Sequence, residues 1–178
     1  MELNEKVIKS ERKYDGKIIN LRVDTVLLPN GKTSKRDIVE HPGGVCVVPI
    51  TKQNELVMVR QYRSGPQQVL LELPAGKLEY GEDPYTCGFR ELQEETGYTA
   101  GEFWEAISFY STPGFTDEKL YLYIAKELSL GKTNPDEDEF IETETIPVKE
   151  LKQMVLENKI QDAKTIIGIL LAEQYLYD

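Results

Sequence analysis

Glu91, Glu94 and Glu95 recur at i, i+3 and i+4, a spacing that puts three carboxylates on one flank of a helix. Like charges so placed repel by roughly 0.2–0.5 kcal/mol per pair. A helix built only for solubility would intersperse lysines, and here Arg90 alone stands close by. Hard cations take oxygen ligands from such clusters, although a bare Glu-x-x-Glu-Glu also suits a solvated acidic face. Glu82, just upstream, offers a further carboxylate. Other reactive side chains are scarce. His41 is the only histidine; it cannot build a multi-histidine metal site, and before Pro42-Gly43-Gly44 it reads as a loop residue. Cys46 and Cys87 are the only cysteines and neither lies in a Cys-x-x-Cys, which argues against a disulfide framework and a structural zinc. Cys46, within the apolar run GVCVVPI, reads as a small core residue. Proton transfer in this chain therefore falls mainly to carboxylates.

The helix that carries the acids is clearly punctuated. Asp83 suits the N-cap, Pro84 the first helical position and Gly97 the left-handed position past the end, so a helix is predicted over residues 83–96. Tyr85, Phe89 and Leu92 fall on the other side and are expected to be buried, leaving the acids presented. Upstream, residues 17–28 alternate with strand periodicity; Pro29-Asn30-Gly31 marks a turn, and residues 35–40 read as the returning strand of an antiparallel hairpin. His41-Pro42-Gly43-Gly44 then separates an N-terminal β segment (1–41) from the remainder (42–178). Further strands are predicted at 45–51, 55–63, 69–73, 103–110, 119–127 and 140–146, a loop ending in acids at 131–139, and helices at 148–158 and 162–177, the last capped by Asp162. The class is mixed α/β, with mostly antiparallel strands and three helices.

At 178 residues, 40% apolar and 29% charged, the chain has the size and balance of one globular domain with room for a small appendage. Its formal net charge of -10 repels nucleic acid and anionic membranes, so neither is expected as a partner. The same charge repels phosphates, and a bound metal is the simplest local inversion of it. No apolar run approaches the ~20 residues of a membrane span, and residues 1–10 hold no signal-peptide core; a cytoplasmic protein is expected.

From Gly76 to Tyr98 the sequence GKLEYGEDPYTCGFRELQEETGY resembles the Nudix box, G-x5-E-x7-R-E-U-x-E-E-x-G-U with U a bulky apolar residue. Gly76, Glu82, Arg90, Glu91, Leu92, Glu94, Glu95, Gly97 and Tyr98 fill it in register, Tyr98 standing where an aliphatic residue is usual. The resemblance implies the Nudix fold, an α/β/α sandwich with a mixed sheet, here with an added N-terminal antiparallel hairpin. It implies Mg²⁺ (or Mn²⁺), two or three ions per site, held by Glu91, Glu94, Glu95 and the main-chain carbonyl of Ala75, with Arg90 orienting a neighbouring glutamate and Gly76 and Glu82 lining the substrate. The chemistry is consistent: two metals about 3.5–4 Å apart can withdraw charge from a diphosphate and activate water. In similar enzymes a loop glutamate serves as base; Glu137 is the first choice here and Glu139 the second, although an acidic run in a loop is otherwise ordinary solvated surface.

The box alone does not choose a substrate. Pro113, sixteen positions after Gly97, and the surrounding FYSTPGFTDE are similar to the ADP-ribose pyrophosphatase subgroup, which implies hydrolysis of ADP-ribose to AMP and ribose 5-phosphate. Pro113 and Gly114 would shape a turn near the site and Phe115 could contact a ribose or base; an ordinary connecting turn is the alternative. The segment LPNGKTSKRDIVEHPG is similar to one that such enzymes exchange across a homodimer, so Arg36 and Glu40 are expected at the partner's adenine pocket, and Arg63 matches a phosphate-binding arginine. The adenine-stacking residue stays open, with Tyr14 a guess and Trp104 placed after the box. Two other readings remain. One is a Nudix hydrolase of another nucleoside diphosphate derivative, a nucleotide sugar or a dinucleotide. The other is a non-catalytic sensor of ADP-ribose, which should lack box glutamates; none is missing.

Overall fold

The computed structural model describes residues 3–131 and 140–177. Both loop acids, Glu137 and Glu139, lie outside the described residues. The chain divides into two compact units, Met1–Gly43 with Tyr110–Lys119, and Gly44–Phe109 with Leu120–Asp178.

In the first unit, β1 (Lys6–Asp15), β2 (Asn20–Leu27) and β3 (Thr33–Glu40) form an antiparallel sheet in that order. The sequence predicts the β2–β3 hairpin, whose turn places Gly31 at φ 81°, but not β1. Nearly every residue of β1 is exposed, so it has no buried side to generate alternation. The distant segment 110–119 joins this unit through β3. Val39 donates its N–H to the Phe115 carbonyl (2.8 Å) and accepts from Asp117 N (3.3 Å), while Asp117 Oδ1 accepts from His41 N at 2.9 Å.

The second unit is built around β4 (Gly44–Pro49), which pairs antiparallel with β7 (Ala75–Lys77) and parallel with β9 (Lys119–Leu130); β8 (Tyr98–Tyr110) flanks β9. A second, antiparallel sheet runs β10 (Ile141–Pro147), β5 (Glu55–Arg63), β6 (Gln68–Glu72). Helices α1 (Pro84–Thr96), α2 (Val148–Leu156) and α3 (Ala163–Ala172) complete it. The unbroken apolar run of β4 reflects burial on both faces. Val45 and Val47 pack with Cys87 and Leu92 of α1, Tyr123 and Ala125. Cys46, Val48 and Ile50 pack with Leu122 and Ile124, Leu151 of α2 and Ile169 of α3. This is the mixed-sheet α/β/α arrangement expected, each buried aliphatic side chain contributing about 1.5–3 kcal/mol. Gly168 lets α3 approach, since a Cβ there would meet Leu73 Cδ1 at 2.3 Å. Burial pushes the Cys46 thiol up to about 12, as befits a core residue.

Several boundaries differ from expectation: β8 begins at Tyr98 rather than at 103, and β9 runs on to Leu130. The last helix does not run to Tyr177; it stops at Ala172 and a 3₁₀ turn covers Glu173–Tyr175. Beyond it Tyr177 N donates to Asn54 Oδ1 (2.7 Å) and Asn54 Nδ2 to the Tyr177 carbonyl (2.9 Å), a tie to the β4–β5 turn that pulls the backbone out of helix. Strand β7, only three residues long, is too short to show periodicity.

Candidate active site

Helix α1 begins and ends as its sequence dictates. Asp83 Oδ2 accepts from Thr86 N at 3.0 Å, Pro84 opens the helix, and Gly97 closes it at φ 75° with its N–H on the Gln93 carbonyl. Glu82 is fixed before the helix starts, Oε2 accepting from Glu79 N at 2.9 Å.

Arg90 is the hub of the acidic cluster. Its Nη1 lies 2.9 Å from Glu91 Oε1 and 2.6 Å from Glu94 Oε2, and its Nη2 3.3 Å from Glu82 Oε1. Partial burial opposes its charge, but attraction to Glu91 and the hydrogen bond to Glu94 outweigh that and raise its pKa. Glu82 shows the converse. Desolvation favours its neutral form, yet the Glu79 amide and the Arg90 charge prevail and hold its pKa below the ordinary value. One guanidinium thus holds together carboxylates that would otherwise repel.

Part of the acidic flank turns inward, where the sequence predicts presented acids; of the three residues predicted to be buried on the other side, Leu92 is and Tyr85 is not. Glu95 is 4% exposed and Leu92 is buried, whereas Tyr85 is 48% exposed. Tyr85 and Phe89 both pack edge-on to Phe103. The inward turn is possible because small residues of β7 face the helix. Ala75 N donates to Glu95 Oε2 at 3.0 Å, and a Cβ on Gly76 would fall 2.0 Å from Glu91 Cδ and Oε1. Ala75, Gly76, Glu82, Arg90, Glu91, Glu94 and Glu95 are therefore brought together.

The other candidates have partners outside that cluster. Arg63, at the end of β5, forks onto Glu72, with Nε–Oε1 and Nη2–Oε2 both 2.8 Å. Glu72 was not singled out from the sequence; the available signal was one acid inside the apolar run VLLELPAG. Arg36 and Glu40 lie on β3 in the first unit. Arg36 pairs with Glu5 (Nε–Oε2 3.0 Å), and Glu40 with Arg22 (3.0 Å) and Arg12. Pro113, Gly114 and Phe115 belong to the same unit, the Phe115 ring half-exposed. Tyr14 is exposed on β1, and Trp104 packs on Tyr175 beside the core.

Among the described residues no group of three or more acidic, histidine or cysteine side chains is so arranged as to hold a metal ion by itself. The donor set nevertheless fits a hard cation that keeps several of its own waters and asks few oxygens of the protein. The Glu91 carboxylate occupies a cradle that only a glycine leaves open. Glu95 is fixed against the backbone of β7.

The NUDIX domain family matches residues 40–167, and the Nucleoside diphosphate sugar hydrolase N-terminal domain matches residues 5–39. The chain is 48% identical to a methanol dehydrogenase activator of Bacillus methanolicus, over 97% of this chain and 92% of that protein. It is 44% identical to an ADP-ribose pyrophosphatase of Bacillus subtilis, over 98% and 93%, and 36% identical to one of Mycobacterium tuberculosis, over 92% and 80%. A solved crystal structure of an ADP compounds hydrolase superposes with a TM-score of 0.86 over 98% of this chain and 96% of that one, at 19% identity, which is a likeness of fold.

Proposed function

This chain belongs to the Nudix hydrolase family, and on that premise we propose that it hydrolyses the diphosphate linkage of ADP-ribose to AMP and ribose 5-phosphate. The carboxylate cluster seated on Gly76 and Ala75 carries the chemistry, and the near full-length likeness to two ADP-ribose pyrophosphatases supports the substrate. Nudix hydrolases generally need divalent metal ions; Mg²⁺, with Mn²⁺ as substitute and two or three ions per site, is the proposed cofactor. Glu91, Glu94, Glu95 and the Ala75 carbonyl would hold it. When bound, the cation supplies charge withdrawal from the diphosphate and activation of water. Arg90 keeps Glu91 and Glu94 gathered, while Gly76 and Glu82 border the bound phosphates. Glu137, or failing it Glu139, takes the proton from the attacking water, and its substitution by glutamine should lower kcat by ~10²–10⁴.

Pro113, Gly114 and Phe115 are assigned to substrate contact, and Arg63 to a phosphate. The segment 1–41 is proposed to exchange between two copies, taking Arg36 and Glu40 to the partner's adenine pocket, with 42–178 as the hydrolase domain. Two buried, unpaired cysteines are consistent with action in the reducing cytoplasm. No helix among the described residues is long and apolar enough to cross a membrane.

A second reading is favoured by the N-terminal match to a nucleoside diphosphate sugar hydrolase domain, namely a nucleotide sugar as substrate. The deciding experiment is turnover of ADP-ribose against GDP-mannose with Mg²⁺, products identified as mononucleotide and sugar phosphate. ADP-ribose should have the higher kcat/KM, and both EDTA and Glu95→Gln should abolish turnover. Faster cleavage of GDP-mannose would move the assignment to nucleotide sugars. Activity undiminished in Glu95→Gln would remove the cluster from the chemistry.

A further inference from the structure

Glu72 is 1% exposed, and a carboxylate so deeply buried is costly unless its oxygens are answered. Two cations answer it. Arg63 takes both oxygens through its fork, and Lys164 Nζ sits 2.5 Å from Oε2. Lys164 is itself held by Asp162 Oδ2 at 2.9 Å. That same oxygen caps α3, accepting from Thr165 N (3.0 Å) and Thr165 Oγ1 (2.6 Å). Thr165 Oγ1 also accepts from Leu73 N at 2.9 Å, fastening the start of α3 to the end of β6. The cluster is neutral as a whole, with two cations and two carboxylates, so each charge is oriented by the others.

The fork fixes the plane of the Arg63 guanidinium through Nε and Nη2. The fork to Glu72 does not use Nη1, and the side chain is 37% exposed. Glu95 is close enough for its charge to stabilise that of Arg63, behind the larger effect of the Glu72 hydrogen bond. A cation of fixed plane thus pairs with Glu72, three residues before Ala75, whose N–H holds Glu95 of the proposed metal site.

We infer that Lys164 is a positioning residue for Arg63, acting through buried Glu72, so that the N-terminal turn of the last helix takes part in recognising the substrate diphosphate. The inference rests on the reading above in which Arg63 meets a substrate phosphate. Without Lys164, Glu72 would have Arg63 as its only cation. The carboxylate would be free to turn, and the guanidinium would turn with it, away from the plane that the fork fixes.

The test is a double-mutant cycle on Arg63→Ala and Lys164→Met, with kcat and KM for Mg²⁺-dependent ADP-ribose hydrolysis measured separately below each variant's melting transition. Lys164→Met should raise KM roughly three- to tenfold with kcat within about twofold. In the Arg63→Ala background the same change should alter KM by less than about twofold, because coupled residues are not additive. Lys164→Arg, which keeps the charge, should recover part of the lost affinity. Equal factors in both backgrounds, or an unchanged KM in Lys164→Met, would overturn the inference while leaving Arg63 as a substrate ligand. A wild-type KM in Arg63→Ala would overturn the phosphate-binding reading and this inference with it. Should Lys164→Met not fold, Glu72→Gln, which is near-isosteric, takes its place in the cycle with the same expected and opposing outcomes.

Discussion

At the scale of single residues, the absence of a side chain at Gly76 matters as much to the site as any carboxylate. The atoms that a Cβ would meet are Cγ, Cδ and Oε1 of Glu91, at 2.0–2.4 Å. These are the far end of a flexible side chain, so Gly76→Ala should be relieved by swinging the carboxylate aside, leaving the fold within about 1 kcal/mol of wild type. If Glu91 holds the metal as proposed, the function has no such tolerance, because displacing a catalytic group by about 1 Å can cost ~10²-fold in rate. The expected result is a kcat/KM down by about 10–100-fold, a weaker apparent Mg²⁺ affinity and a nearly unchanged melting temperature. Wild-type activity in the alanine variant would show that the Glu91 position is not critical. Legibility at this scale follows chemistry. Glu91, Glu94 and Glu95 could be picked out because their type and spacing carry one demand, hard oxygen ligands on one helical flank, and Glu82 and Arg90 because they fill the Nudix box in register. Glu72 could not, because its partners Arg63 and Lys164 are nine and 92 residues away and only folding brings them together.

At the scale of elements, α1 was readable because each of its ends carries a local signal, whereas the direction of its faces was not. Counting hydrophobics sends Tyr85, Phe89 and Leu92 inward, yet the structure turns Glu95 inward and leaves Tyr85 half-exposed, since Ala75 and Gly76 make room for acids rather than rings. Strands β4 and β5 were legible from apolar content. Strand β1 was not, having no covered side, and β7 was too short. The cap links the element to its function. Asp83 follows directly on Glu82, whose carboxylate is fixed by Glu79 N and Arg90. Asp83→Ala should cost about 1 kcal/mol of stability, whereas Asp83→Ser, another good cap, should restore most of it. Thermal or urea unfolding of the three proteins checks this. A loss in the alanine variant that serine does not repair would place the role of Asp83 outside capping.

At the scale of the whole molecule, the formal charge of -10 is the background against which the proposed metal and the proposed phosphate contact of Arg63 would act, and the first unit raises a separate question of cover. Strand β1 has β2 on one side only, and Val7, Ile8 and Tyr14 on it are each more than half exposed, as are Leu3 and Ile18 nearby. A long edge strand with apolar side chains is a template for pairing, and proteins that leave one bare usually blunt it or cover it with another chain. Charge does part of the blunting, through Lys9, Arg12 and Lys13, but Lys9 and Lys13 are both engaged by Glu11, and Arg12 by Glu40. A second copy of this chain is the cover we propose, in keeping with the exchange of segment 1–41. Light scattering coupled to size exclusion should then give twice the chain mass at micromolar concentration. Val7→Lys with Ile8→Lys, both on exposed positions, should shift that equilibrium toward monomer and, if Arg36 and Glu40 serve the partner's site, raise KM in parallel. A wild-type protein that runs as a monomer at that concentration would dismiss the exchange and return Arg36 and Glu40 to their role as ion-pair partners within their own sheet.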